Sequence, residues 1–307
     1  MLNVDYTIAT RVLSKRIQKV LPQIISMDQQ GYIKNRFIGY NIRQIQDIID
    51  YTDKLNIDGV ILFPDFRKAF DTVEFPFLFS VLEKFGFKCS FIKWIKALYN
   101  DSKSCLINKG FFSECFTLCR GIRQGCPISA LLFILVAEIM ALRIRNTDSL
   151  SGIKVKTNSF FKYIKLTQLA DDTTLFLNSV LEVKIALQII ETFGKHSGLI
   201  LNKNKTDAMF IGKLKNCTDF LCDINWPDGP IKSLGVFFGH NRLQCNELNW
   251  SSKIENCEKI LINWKKRNLT FFGKIQIIKT LLLPKFVYLA QSTIVPLEKL
   301  NILNKLF

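Results

Sequence analysis

Apolar and polar positions along this chain repeat with two different periods, and the places where the period changes mark the elements. Residues 7–25 carry apolar side chains at helical spacing, with Arg11, Lys15, Arg16 and Lys19 between them, which predicts an amphipathic basic helix. The stretch Gln29 to Phe37, QQGYIKNRF, interrupts that pattern, and helical spacing resumes from Ile38 to Lys54. The period then shortens. Gly59 to Phe66, GVILFPDF, is a brief apolar run expected to form a buried strand that ends or bulges at Pro64, because proline lacks the ladder donor.

Asp71 is placed to cap the next element, and Phe75–Lys84 and Phe91–Leu98 predict two helices separated by Gly86 and Ser90. Residues 103–119 suggest a hairpin around Asn108-Lys109-Gly110. A glycine-punctuated loop, Arg120 to Pro127, feeds the longest apolar run, Ile128 to Leu142. That run is too short for a comfortable membrane span and contains Glu138, so a helix buried on most sides is expected. Phe160–Leu169 and Thr173–Leu177 suggest two strands with Asp171 and Asp172 at the bend between them. Val180–His196 predicts a helix stopped at Ser197-Gly198, and Ser233–Gly239 a short strand or hairpin arm.

From about residue 241 the pattern is helical. Ile254, Cys257, Leu261 and Trp264 share one face, the basic cluster Lys265, Lys266 and Arg267 comes next, and a second apolar helix runs up to Pro284. The expected organisation is an α+β region over 1–240 and a helical region over 241–307.

Composition narrows the function classes. Of 307 residues, 48% are hydrophobic, enough for a sizeable core. The formal net charge of +16 favours a polyanionic partner, nucleic acid before membrane. Nine cysteines lie scattered without a CxxC pair, and the two histidines, His196 and His240, are far apart, so zinc is weakly supported and reduced thiols in an intracellular protein are expected. The first residues, MLNVDYTIATR, lack the apolar segment of a secretory signal, so glycosylation sequons such as NCT, NWS and NLT carry little weight and the expected location is nucleus or cytoplasm.

The candidate chemistry sits in Thr167 to Leu177, TQLADDTTLFL. Two adjacent carboxylates at a strand bend repel each other, and a divalent cation between them removes the penalty. Magnesium suits such hard oxygen ligands, taking one or two carboxylates and keeping waters or substrate phosphates. Asp65, at the end of its own apolar strand, is the candidate third ligand. Two strands ending in aspartates would hold two cations about 4 Å apart, the arrangement of phosphoryl transfer.

FPDFRKAFD, RGIRQGCPIS, LADDTTLF, SGLILNKNKT and SLGVFF occur here in that order. Together they resemble the successive motifs of reverse transcriptases, most closely the non-LTR (LINE-type) retrotransposon group, over nearly the whole chain from LNVDY to WKKRNLTFFGKIQIIKTLLLP. The resemblance implies a right-hand polymerase: fingers and a palm with an antiparallel sheet, then a partial helical thumb. It implies that Asp65, Asp171 and Asp172 bind two magnesium ions, with manganese as a substitute, and that Lys205 assists the leaving pyrophosphate as a catalytic residue. Phe66, Phe70, Gln124 and Gly125 would line the nucleotide site, Phe70 as the ring that rejects a ribose 2′-hydroxyl. Primer and template would lie against Arg36, Arg120, Arg123, Leu234, Gly235, Lys265, Lys266 and Arg267, with Lys34 nearby.

The implied partners are an RNA template, a DNA primer or target and deoxynucleoside triphosphates. The chain departs from the family pattern at Pro64, Leu169, Ala130 and Asn35. The resemblance also implies a fragment, without the upstream endonuclease and first finger segment. Two other readings stay open: a catalytically impaired nucleic-acid-binding remnant, and a maturase-like RNA-binding protein.

Overall fold

A computed structural model of the chain describes residues 3–157, 160–218, 220 and 222–306. The first two residues, which begin the LNVDY end of the resemblance, and residue 307, the last of the expected helical region, lie outside the described residues. The chain forms two compact units, and each contains segments distant in sequence.

The first unit comprises residues up to Arg36, Gly59–Ala208 and Cys217–Asn225. Its centre is the helix Ser129–Arg145, in which Leu131 to Ala137 and Met140 are all essentially removed from solvent. The apolar run is therefore core rather than membrane, and among the described residues no helix is long and apolar enough to cross a bilayer. The helices Phe75–Lys84 and Val180–Ser197 pack against it. Glu138, the charge buried inside this run, is neutralised by Arg145, which also reaches Asp28 at 3.0 Å. An ion removed from water persists only when paired in this way.

The strand Asp58–Phe63 stops before Pro64, as the missing donor requires. It pairs antiparallel with Asp172–Leu177 (Ile61 opposite Phe176), which pairs in turn with Leu166–Leu169. The single strand expected over Phe160–Leu169 is in fact two. Phe161–Ile164 forms a hairpin with Ile153–Lys156, and the chain changes partner at Lys165, whose ammonium donates to the carbonyls of Arg145 and Thr147 at 2.7 and 3.0 Å. The Val180–Ser197 helix ends in left-handed Gly198, where a Cβ would stand 2.0 Å from the Thr72 carbonyl oxygen, so no other residue fits without moving that loop. At Asn108–Phe111 the hairpin turn falls where expected, with Lys109 and Gly110 both left-handed.

The second unit comprises Phe37–Asp58, Met209–Asn216 and the chain from Trp226 onward. Its helix Gly39–Leu55 buries Ile42, Ile45, Ile48, Ile49 and Thr52, one stripe at 3.6-residue spacing, and packs on Leu283–Ser292. The long helix Arg242–Lys265 holds the hairpin Ile231–Ser233/Val236–Phe238 through Asn249, whose side chain bonds both the N–H and C=O of Phe237. Trp250 stacks on Phe286, rings nearly parallel. The second apolar helix does not stop at Pro284. Phe271–Ile277 runs through a π-turn, Ile278–Leu282, into Leu283–Ser292, with the proline in the first turn of that last segment. There its missing N–H costs least.

Candidate active site

Asp65 comes immediately after the strand end. Once Pro64 has broken the ladder, the backbone finds a new partner: Arg67 N–H donates to Ile200 O, and Asn202 N–H donates to Asp65 O at 2.8 Å. The Asp65 N–H donates to Thr206 Oγ1 at 3.2 Å, and Asn202 Nδ2 donates to the Asp65 carboxylate at 3.1 Å. The proline therefore sits at the change of partner, and the LNKNKT segment holds Asp65 at main chain and side chain.

Asp171 occupies a two-residue turn between Leu169 and Asp172, and Asp172 opens the next strand. Ala170, the other turn residue, adopts a left-handed φ of 56° that costs a non-glycine residue energy. A clamp holds it there. The fully buried Gln29 accepts from Ala170 N–H at 2.8 Å and from Gly31 N–H at 2.9 Å, and its amide donates to Ala170 O at 3.4 Å. Backbone bonds between Asp28–Gln30 and Gln168 extend the contact. Gly31 is required, because a Cβ there would meet Ala170 N at 2.7 Å.

The Asp65 charge reaches both carboxyls of the acidic turn. Burial raises the Asp171 carboxyl; its own backbone amide opposes this, and the Asp65 charge raises it further. Asp172 remains solvent-accessible, yet crowding by neighbouring atoms, then Asp171, then Asp65, pushes it up to about 6. Asp207 is a fourth carboxyl in this neighbourhood, raised by burial and by Asp65 while Asn225 donates to it at 3.2 Å and pulls it down. Asp207 was not among the residues expected from the sequence, although it stands two residues beyond Lys205, directly after the motif that carries that lysine. Among the described residues, no group of three His, Cys, Asp or Glu stands in ready-made metal-holding geometry.

A raised acid binds its proton more tightly folded than unfolded. In metal-free protein the Asp172 contribution to stability is therefore present below about pH 4 and is lost as pH rises through about 6. Chemical denaturation across that range should show stability falling with pH, and Asp172→Asn should flatten the slope.

The other expected site residues are spread over both units. Phe66 is core, and Phe70 stacks on Phe133 with ring centres 4.3 Å apart. Gln124 donates to Asp71 at 3.0 Å, and left-handed Gly125 has open space where a Cβ would stand. Arg120 lies 3.7 Å from Glu74 at the surface, while Arg123 bonds Ser102 at 2.6 Å and covers the Tyr6 ring. Arg36 is turned inward, donating to the carbonyls of Ile25, Ser26 and Gln29, and so braces the loop that carries the clamp. Lys205 and Lys34 are exposed.

Leu234, Gly235, Lys265, Lys266 and Arg267 belong to the second unit. Leu234 and Gly235 form the left-handed turn of its hairpin, with Tyr288 donating to Leu234 O, and Arg267 lies over Trp264.

An antiparallel strand pair ending in an acidic turn, backed by a buried helix, matches the palm that the resemblance implies for a right-hand polymerase. The fold is of that class: telomerase from Candida albicans, solved in complex with a TWJ fragment of telomeric RNA, superimposes with a TM-score of 0.53 at 11% identity, over 97% of this chain and 53% of that one. Residues 1–273 match the reverse transcriptase (RNA-dependent DNA polymerase) family, and the chain belongs to it. Its relatives include proteins of transposons and retrotransposable elements. The transposon TX1 149 kDa protein of Xenopus laevis is 29% identical over 77% of this chain and 18% of its own length. The Pol polyprotein of the type-2 retrotransposable element R2DM of Drosophila melanogaster is 26% identical over 58% and 16%. The chain thus spans less than a fifth of either relative. Reverse transcriptases as a family use divalent metal ions.

Proposed function

We propose that this chain is the polymerase core of a LINE-type retrotransposon reverse transcriptase, extending a DNA 3′-hydroxyl on an RNA template with deoxynucleoside triphosphates. The observation that carries the reading is the acidic turn itself, in which Asp65 acts on both Asp171 and Asp172, and Asp171 on Asp172: like charges held together by built hydrogen-bond supports. Such crowding is unfavourable in isolation and becomes favourable around cations. Asp65 and Asp171 would hold two magnesium ions, with Asp172 in support. Bound there, the ions would activate the attacking hydroxyl and stabilise the leaving oxygen.

The chain's own residues supply the positioning. Asn202 and Thr206 fix Asp65, and Gln29 fixes the turn of Asp171. Phe70, rigid against Phe133, would screen the sugar, and Gln124-Gly125 would approach the nascent base pair. Lys205 would meet the departing pyrophosphate. The helical region from residue 241, with Lys265, Lys266 and Arg267, would follow the duplex backbone as a thumb.

Pro64 favours a second reading, a remnant that binds without turnover, if it displaces the Asp65 carboxylate. Primer extension on an RNA template with magnesium separates the two. Elongation is the expected result, and salt-sensitive RNA binding without elongation would overturn the polymerase reading.

A further inference from the structure

The hairpin Ile153–Lys156/Phe161–Ile164 has no part in the aspartate site, and its two faces differ sharply. Directly opposed residues of an antiparallel pair share a face. Ile153, fully buried, lies opposite Ile164, and this pair turns toward the protein. On the other face Lys154 lies opposite Tyr163 and Lys156 opposite Phe161, all four exposed. Phe161 and Tyr163 keep 54% and 52% of their surface in solvent, and Phe160 beside them 65%. Lys154 stands 4.1 Å from the centre of the Phe161 ring and 5.9 Å from that of Tyr163.

Cations interleaved with rings on a two-stranded ribbon suit a particular polyanion. Phosphates meet the lysines, and unpaired bases meet the ring faces. A duplex hides its base faces, and a lipid surface has none. The charge agrees: from Ser149 to Ala170 the chain contains four lysines and no acidic residue. Position agrees as well, since Tyr163 precedes Asp171 by eight residues, no more than about 30 Å of chain.

We propose that this face docks single-stranded RNA, the unpaired template flanking the acidic turn. The proposal rests on the reading that the chain works on an RNA template, and it names the surface that would hold the strand.

The test is fluorescence anisotropy with a labelled, unstructured RNA oligonucleotide across a salt series, using the full chain. Phe161→Ala with Tyr163→Ala should weaken binding about tenfold with little change in salt slope. Lys154→Gln with Lys156→Gln should lower the slope of log affinity against log salt by roughly 1.4, the single-strand value for two lost phosphate contacts. Phe161→Tyr with Tyr163→Phe keeps both rings and should bind like the parent, which separates lost stacking from lost folding. Wild-type affinity and slope in both the alanine and glutamine variants would overturn the proposal, assigning the ring and lysine contacts to hairpin packing alone. So would displacement of the RNA by duplex DNA or anionic vesicles at equal phosphate.

Primer extension run in parallel separates the two claims. Extension that needs Asp171, with hairpin variants binding normally, sinks the surface and leaves the polymerase. Weakened RNA binding in those variants, with extension indifferent to Asp171, sinks the polymerase and leaves the surface.

Discussion

Replacing Asp171 and Asp172 together by asparagine should lower RNA-templated extension on the order of 10³-fold or more, the scale lost when preorganised groups that stabilise developing charge are removed. Binding of primer and template should persist, because phosphate contacts elsewhere carry it. The same change should leave the metal-free protein at neutral pH as stable as the parent or more so. Asparagine keeps the shape of aspartate and removes two charges that burial disfavours and Asp65 repels, Asp172 being repelled by Asp171 as well. Activity that falls while melting temperature holds or rises is the signature of a residue kept for chemistry against the interest of the fold. Extension at the parental rate in the double variant would remove these carboxylates from the reaction.

Gln29→Ala should produce the second largest effect. The substitution leaves the Ala170 N–H buried without its acceptor, at a cost of about 1–3 kcal/mol. It also frees a turn whose φ of 56° needs support. A carboxylate displaced by about an ångström loses roughly 10² in rate. kcat should fall by about that factor with a smaller change in the KM for nucleotide, and the magnesium requirement should rise. Gln29→Glu keeps the acceptor and should retain more of the fold. It loses the donor to Ala170 O and adds a negative charge beside the aspartate turn, so it should not restore kcat. A loss of activity matched by the unfolded fraction in Gln29→Ala would reduce the residue to packing.

The acidic turn and the strand ahead of Asp65 were legible because their signals are local: a short apolar run, a proline without a donor, two charges in an apolar run. The buried helix was legible for the same reason. The supports of the site were not. Gln29 meets Ala170 across 141 residues, and Asn202 meets Asp65 across 137. QQG in isolation has the appearance of a polar helix breaker, and only the fold shows that its glutamine is sealed from solvent against a strained turn. The partner change at Lys165 was hidden likewise, since a lysine inside an apolar run signals an exposed strand position rather than an ammonium bound to two carbonyls. The resemblance puts Arg36 against primer and template, and its guanidinium is bonded to three backbone carbonyls of its own loop. Periodicity specifies which face is buried, while the identity of a distant backbone partner depends on topology.

The proposed function requires Asp65 and Asp171 to share a pair of cations. Crystals grown with manganese, a deoxynucleoside triphosphate and an RNA–DNA primer-template, measured at the manganese absorption edge, decide the matter. Two anomalous peaks are expected about 4 Å apart, each within about 2.2 Å of a carboxylate oxygen of Asp65 or Asp171. Peaks elsewhere, or none at either aspartate with primer and nucleotide in place, would contradict it.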